Sequence, residues 1–255
     1  MKIAVSGKGG VGKTTFSAFL IRTFNAMGHR ILAIDADPDA NLAAAVGIHN
    51  AESVVPISEM KTLVAERTGS KPGTVGGMFT LNPKVDDLPE ALSAKFENIL
   101  LMRLGGIPKG GGGCICPEST LLKALVTHVV IARNEVVIMD MEAGIEHLGR
   151  GTATAVDVLI VVVEPGQRSV ETARHIQKLA NELHLKRVLL VGNKIRTPQD
   201  EAFLKETLPD FTFLGFLPYS DTLGQADMKG QSPYDAADNS YRQRFVDIVH
   251  QLEAL

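Results

Sequence analysis

The sequence lacks most of the features that mark secreted and membrane-spanning proteins. Only two of its 255 residues are cysteines, Cys114 and Cys116, and one residue separates them. This excludes a disulfide scaffold and predicts a reduced, cytoplasmic chain. The longest apolar run, Val158–Val163, is far too short to cross a bilayer. A strand-like segment follows Met1 directly, so no signal peptide is expected.

The chain also lacks a strong excess of charge of either sign. Its 26 Lys and Arg residues against 29 Asp and Glu residues give a net charge of −3. This balance argues against a protein whose whole surface is built to bind nucleic acid or a membrane. Hydrophobic residues make up 45% of the chain and charged residues 22%, which is ordinary globular usage. A chain of 255 residues is long enough for one large α/β domain.

Short β-branched runs alternate with longer helical patterns. The predicted strands, continuous as in sheets buried on both faces, are Ile3–Ser6, Ile31–Asp35, Val136–Asp140, Val158–Val163, Val188–Gly192 and Phe213–Leu217. The predicted helices are Thr14–Met27, Ser119–Arg133, Ser169–His184 and Pro198–Leu208. This order predicts one α/β domain, residues 1–255, with a mostly parallel sheet flanked by helices. An irregular segment, residues 52–113, contains two weaker predicted strands, Met78–Asn82 and Ile99–Leu104.

A phosphate-binding loop follows the first strand. Residues 7–15 match the pattern G-x-x-x-x-G-K-[ST] and open a predicted helix. Glycines let backbone N–H groups turn toward phosphate oxygens, and the helix N-terminus adds its positive dipole end. Lys13 is predicted to reach the β- and γ-phosphates, and the Thr14 hydroxyl to hold Mg²⁺. The nucleotide-binding residues predicted here are Gly9, Gly10, Val11, Gly12, Lys13, Thr14 and Thr15.

Acidic residues end two of the predicted strands. Asp35, Asp37 and Asp39 lie at the end of the second strand, and carboxylates at the C-terminal end of a parallel strand face the ligand crevice, where an acid can orient water for attack on a phosphate. Asp140 ends an apolar strand and is predicted to hold Mg²⁺, with Glu142 assisting through water. Asp35 and Asn41 are predicted to support the same metal and its water. Gly144 completes a D-x-x-x-G spacing, typical of a switch whose glycine donates a backbone N–H to the γ-phosphate.

The cysteine pair lies in a glycine-rich loop, residues 110–117. In extended backbone, residues two apart point the same way, so Cys114 and Cys116 can reach one metal ion. Two thiolates do not complete a Zn²⁺ or Ni²⁺ site, but a two-fold dimer would supply four sulfurs on its axis. Buried packing of the thiols and a redox pair are the alternatives.

The whole loop G-K-G-G-V-G-K-T-T resembles the deviant phosphate loop of the nitrogenase iron protein, MinD and ParA group (SIMIBI, MinD-like P-loop NTPases). The resemblance implies that Lys8 reaches across a homodimer to the partner's phosphates, which makes ATP binding and dimerisation one event. It also implies that Asp37 orients the attacking water. Asn193, Lys194 and Pro218, which follow two apolar strands, match the adenine-contacting segments of that group.

Five segments together look like the nickel-insertion accessory ATPases of the CooC/AcsF type, which serve carbon monoxide dehydrogenase and acetyl-CoA synthase. They are the phosphate loop, I-D-A-D-P-D-A-N, L-N-P-K-V-D-D, G-G-C-I-C-P and V-I-M-D-M-E-A-G-I-E-H-L-G-R-G-T-A. The resemblance implies a dimeric ATPase that uses ATP, ADP and Mg²⁺. It further implies that Cys114 and Cys116 bind nickel, or zinc, shared across the dimer, and that a nickel enzyme is the client.

Two other functions remain open at this point. An iron–sulfur ATPase, as cluster scaffold or electron donor, could also place four thiolates between two subunits. A positioning ATPase of the MinD or ParA type is disfavoured, because residues 241–255 mix Arg with Asp and Glu and have apolar spacing suited to packing against the domain.

Overall fold

One eight-stranded sheet organises the protein. The computed structural model describes residues 1–49, 54–70, 80–105, 117–132, 135–142 and 156–255. The strands are β1 (Lys2–Gly7), β2 (Ile31–Ala36), β3 (Ala94–Phe96), β4 (Ile99–Arg103), β5 (Val136–Met141), β6 (Val158–Val163), β7 (Val188–Ile195) and β8 (Thr212–Pro218). Their order across the sheet is β3-β4-β2-β5-β1-β6-β7-β8.

Helices cover both faces of the sheet. They are α1 (Lys13–Ala26), α2 (Leu42–Val46), α3 (Lys61–Thr68), α4 (Leu88–Leu92), α5 (Pro117–Ala132), α6 (Gln167–Glu182), α7 (Pro198–Thr207), α8 (Asp221–Met228), α9 (Pro233–Ala236) and α10 (Asn239–Glu253), with a 3₁₀ turn at Ile57–Glu59. Within the ranges described, no helix is both long and apolar enough to cross a membrane. The architecture is the single α/β domain with a mostly parallel sheet that the sequence predicts.

All strand pairs are parallel except the edge pair of β3 and β4. Parallel strands are joined by crossovers, so their C-terminal ends meet at one edge of the sheet. The register places Asp35, near the end of β2, directly beside Asp140 in β5. Strand β1 lies between β5 and β6, so the loop that follows it leaves from the middle of that edge.

The two faces of the sheet bury separate cores. In β1, Ile3 and Val5 pack on the face covered by α1, α2 and α10, whereas Ala4 packs on the face covered by α3, α5, α6 and α7. The period-two alternation of a strand divides its side chains in this way. On the α1 face, the Phe19 ring stacks on Phe245 of α10 with centroids 4.7 Å apart. Helix α1, which begins at Lys13, is thereby held against the sheet.

The six principal strands predicted from the sequence are all present, and so is the weaker strand at 99–103. The prediction of a strand at Met78–Asn82 is wrong for its described part, because Thr80 is not in a strand and Leu81 and Asn82 form bends. The Thr80 N–H donates to the Thr68 carbonyl at 2.7 Å, and Pro83 has no N–H to extend a ladder. The described parts of segment 52–113 are also more regular than predicted, since α3, α4 and β3 lie there.

Candidate nucleotide-binding site

The phosphate loop joins β1 to α1 at the C-terminal edge of the sheet. Gly10 has a φ of 81° and Gly12 a φ of 94°, backbone conformations that residues other than glycine rarely adopt. A Cβ on Gly12 would lie 2.6 Å from Nδ2 of Asn193, so close packing also requires glycine there. The loop conformation therefore depends on both glycines.

A groove of about 600 Å³ opens in front of this loop. Lys13, at the start of α1, lines it and is only 7% exposed. The residues that line the groove are Gly9, Gly10, Gly12, Lys13, Thr14, Thr15, Asp37, Asp39, Asn41, Ala44, Ala45, Leu223, Asp227, Gly230, Gln231 and Pro233. The structure thus brings Asp37 to the same groove as the phosphate loop.

Asp140 is buried, and one of its two carboxylate oxygens has no hydrogen-bond partner among the described residues. Its Oδ1 accepts a hydrogen bond from Ser17 Oγ at 2.9 Å, and the Thr14 hydroxyl also bonds to the carboxylate. Its Oδ2 is buried and has no hydrogen-bond partner among the described residues. Burial raises the pKa of Asp140 to about 6, because the loss of hydration outweighs the hydrogen bonds from Thr14 and Ser17. A buried carboxylate oxygen without a partner beside a hydroxyl fits the hard-oxygen donor set of Mg²⁺.

Asp35 binds the backbone of the segment that carries Asp37. One carboxylate oxygen accepts from the Leu42 N–H at 3.0 Å and the other from the Asp37 N–H at 3.3 Å. Burial raises the pKa of Asp35 to about 7, with the Asp140 carboxylate adding to the rise and the two N–H groups opposing it. The structure therefore ties Asp35 to residues 37–42, whereas the sequence suggested a role at the metal.

Asp37 itself is half-buried at the rim of the groove. Its Oδ1 accepts from the Asp39 N–H at 3.0 Å, which orients the carboxylate and leaves Asp39 exposed in the turn. Glu142, one residue after β5, is also half-buried. Gly144, Cys114 and Cys116 lie outside the described residues. Among the described residues, no group of three His, Cys, Asp or Glu side chains could hold a metal ion.

Asn193 and Lys194 contact the phosphate loop itself. Asn193 Nδ2 donates to the Val11 carbonyl at 2.8 Å, and Lys194 Nζ donates to the Gly10 carbonyl at 2.6 Å. Pro218 pairs with Ile195 at the end of β8. None of these three residues is among those lining the groove. Asn193 and Lys194 therefore support the loop through its backbone carbonyls.

Two parts of the site are not predicted by the sequence. The wall opposite the loop is built by α8 and the segment after it, through Leu223, Asp227 and Gln231. No motif marks these residues. The second part is Glu164, whose Oε1 lies 3.5 Å from Lys8 Nζ. Glu164 directly follows the apolar run Val158–Val163, so the same strand-end rule that selected Asp140 could have found it.

Comparisons with known proteins agree with this geometry. Residues 2–234 match the family model described as the CobQ/CobB/MinD/ParA nucleotide binding domain. The chain is 46% identical to the carbon monoxide dehydrogenase accessory protein CooC of Rhodospirillum rubrum, over 92% of this chain and 90% of that protein. It is 25% identical to a light-independent protochlorophyllide reductase iron-sulfur ATP-binding protein of Cereibacter sphaeroides, over 91% of this chain and 73% of that protein.

Among solved structures, the MinD cell division protein of Aquifex aeolicus has the same fold. The TM-score is 0.69 and the identity 19%, covering 99% of this chain and 97% of that one. The fold, the phosphate loop with its groove and the similarity to CooC point to the same conclusion. The chain belongs to the CobQ/CobB/MinD/ParA nucleotide-binding family, as a CooC-type ATPase that uses ATP and Mg²⁺.

Proposed function

We propose that this protein is an ATP-dependent, nickel-binding maturation factor for carbon monoxide dehydrogenase or acetyl-CoA synthase. It dimerises with ATP and metal and inserts nickel into the active site of its client. The observation that carries this proposal is the 46% identity to a carbon monoxide dehydrogenase accessory protein across nearly the whole of both chains. A relationship of that extent includes the segment with both cysteines.

ATP occupies the groove with its phosphates at the N-terminus of α1. The backbone N–H groups of residues 9–15 bind the phosphate oxygens, and Lys13 binds the β- and γ-phosphates. Thr14 and Asp140 would hold Mg²⁺, which would neutralise charge on the phosphates. Asp37, fixed at the rim by its bond from the Asp39 N–H, orients the attacking water. Phosphoryl transfer needs positioning more than covalent catalysis, so these contacts suffice for hydrolysis.

Chain connectivity supports a link between nucleotide and metal. The segment with Cys114 and Cys116 joins the C-terminal end of β4 to the start of α5 at Pro117. β4 is parallel to its neighbour β2, whose C-terminal end leads to Asp37. The cysteine segment therefore departs from the edge of the sheet that holds the phosphate loop. Two subunits would supply four thiolates to one nickel ion, with zinc as an alternative occupant.

Hydrolysis would then lower the affinity for the nickel ion that the protein carries. In this scheme ATP joins the subunits through Lys8, and Gly144 donates its backbone N–H to the γ-phosphate. Loss of that phosphate would release the switch that contains Gly144 and separate the thiolate pairs, so that nickel passes to the client.

Nickel stoichiometry under anaerobic, reducing conditions tests the proposal, with sedimentation velocity on the same samples. We expect about one nickel ion per dimer for the wild type, as four shared thiolates require. The variant Cys114→Ser/Cys116→Ser should bind no nickel tightly but retain ATP, because the phosphate loop is separate from the cysteines. Retention of ATP is the control for folding.

Two results would contradict the proposal. Tight nickel binding that survives the double substitution would remove the cysteines from the site. Iron and sulfide in place of nickel, seen as a brown protein, would instead favour an iron–sulfur ATPase, in line with the weaker similarity to an iron-sulfur ATP-binding protein.

A further inference from the structure

The carboxylate of Glu164 forms ion pairs with two lysines beside the phosphate loop. Its Oε1 lies 3.5 Å from Lys8 Nζ, and its Oε2 lies 3.1 Å from Lys194 Nζ. All three side chains are partly exposed, at 35% for Lys8, 39% for Lys194 and 25% for Glu164. Lys8 therefore has an acidic partner within its own subunit.

The position of Glu164 is set by the turn between β6 and α6. Its backbone N–H donates to Ser169 Oγ at 3.0 Å, and Ser169 is only 2% exposed. The carboxylate thus extends from a fixed backbone at the same edge of the sheet as the loop. Lys8 belongs to the loop, so the ion pair joins the loop to β6.

Because Glu164 also pairs with Lys194, release of Lys8 costs little free energy. Lys194 Nζ also donates to the Gly10 carbonyl at 2.6 Å, which keeps it beside Glu164 independently of Lys8. If Lys8 moves away, the carboxylate retains Lys194 as its partner and is not left unpaired. The cost is then that of one partly exposed ion pair, which is small.

We propose that Glu164 is a positioning residue for Lys8: it holds the lysine in the nucleotide-free subunit and releases it when a phosphate of the second subunit's ATP takes its place. This inference rests on the proposed function, which assigns Lys8 to the phosphates of the partner. Glu164 then competes with the phosphate for Lys8, which raises the protein concentration at which ATP joins two subunits. Glu164 is not among the residues that line the groove.

The first test measures the availability of the Lys8 amine in nucleotide-free protein. An acetylating reagent is applied for short times, and the labelling of each lysine is followed by peptide mass spectrometry. Glu164→Gln should raise the labelling rate of Lys8 about two- to fivefold, the range expected from loss of a partly exposed ion pair. Lys123, exposed in α5, serves as the internal reference. The matched control is Glu171→Gln, which removes an exposed carboxylate from α6 without touching the loop.

The second test measures ATP-dependent dimerisation by sedimentation velocity, with a non-hydrolysable ATP analogue. Glu164→Gln should lower the protein concentration for half-dimerisation by about two- to fivefold for each of the two lysines released. Lys8→Ala should fail to dimerise with the analogue, with or without Glu164→Gln, because Lys8 makes the contact with the second subunit's ATP. Glu171→Gln should match the wild type.

Unchanged Lys8 labelling in Glu164→Gln would overturn the proposed contact, whatever the nickel measurement gives. Faster labelling combined with a weaker dimer would overturn the release step, since Glu164 would then support Lys8 within the dimer. Failure of the wild type to dimerise with the analogue would instead contradict the proposed function, and the release step with it. The three results are distinct.

Discussion

Asn193 contributes to the nucleotide site by holding the phosphate loop. Its side chain fills the space above Gly12 and bonds to the Val11 carbonyl. Because the amide is 8% exposed, loss of this hydrogen bond leaves a buried carbonyl without its partner. The loop conformation that binds phosphate therefore depends on a residue 182 positions away in the chain.

We expect Asn193→Ala to weaken ATP binding about tenfold, equivalent to loss of roughly 1–2 kcal/mol of hydrogen bonding in the loop. Isothermal titration with the non-hydrolysable analogue measures this affinity. The control is Asn181→Ala in α6, where the exposed side chain accepts a hydrogen bond from Gln177 of the same helix. Equal affinities for Asn193→Ala and wild type would show that the loop does not need this support.

Asp35 should make stability depend on pH in the direction opposite to that of most carboxylates. Its folded pKa of about 7 lies above the ordinary value of 3.8, so folding favours the neutral form. The contribution to stability is fully present below the unfolded pKa and is lost as pH rises through the folded pKa, over roughly pH 4–7.

Asp35→Asn removes this titration and tests the assignment. The free energy of unfolding of the variant, relative to wild type, should rise by on the order of 4 kcal/mol between pH 4 and pH 8. Urea unfolding in the presence of a chelator, which keeps Mg²⁺ off Asp140, gives both values. A difference that stays constant across this pH range would mean that Asp35 is ionised in the folded protein.

At the scale of elements, α1 connects the core to the phosphate loop. Its first residue is Lys13, and its buried face includes Phe16 and Phe19 against α10. Burial of the aromatic rings fixes the helix, and the helix N-terminus then points its N–H groups at the groove. Packing at one end of this element therefore positions the chemistry at the other.

Phe19→Ala should lower the free energy of unfolding by about 3–5 kcal/mol, because it leaves a cavity among rings that do not collapse readily. Chemical denaturation measures the change. Met228→Ala, at a side chain that is 81% exposed, is the control and should alter stability by less than about 0.5 kcal/mol. A loss below about 1 kcal/mol for Phe19→Ala would contradict the packing described for α1.

At the scale of the whole molecule, the proposed function requires that two ligands be coupled through the dimer. If nickel raises the affinity for ATP by a given factor, ATP must raise the affinity for nickel by the same factor. We expect a factor of about 5–150, the range usual for such coupling. Titration of each ligand in the absence and presence of the other measures both factors.

The coupling should vanish in two variants that leave different sites intact. Cys114→Ser/Cys116→Ser removes the metal site, and Lys8→Ala removes the contact with the partner's phosphates while leaving the cysteines in place. Persistence of coupling in Lys8→Ala would mean that the two sites communicate within one subunit. Two unequal factors would mean that a further equilibrium accompanies binding.

Local residue patterns were sufficient to predict the class of fold and the phosphate loop. The strand at 158–163 has the bounds that were predicted, because six consecutive apolar residues between polar segments suit only a strand buried on both faces. The phosphate loop is equally local, since glycines, Lys13 and Thr14 act on one ligand from adjacent positions. Where neighbours outside the pattern decide, local residues predict poorly: Leu81 and Asn82 form bends instead of the predicted strand, and the short antiparallel edge strand β3 has no local signal.

Contacts between residues far apart in the chain depend on how the strands are ordered. Glu164, Lys194 and Asn193 reach the loop because β1, β6 and β7 lie side by side, an order that no residue spacing specifies. Likewise, Asp35 binds residues 37–42 because the buried end of β2 offers its carboxylate no water and two backbone N–H groups. Consecutive residues determine the periodicity of strands and helices and the backbone conformation of the phosphate loop. The contacts of Glu164, Lys194, Asn193 and Asp35 depend instead on burial and strand order, which arise only when the whole chain packs.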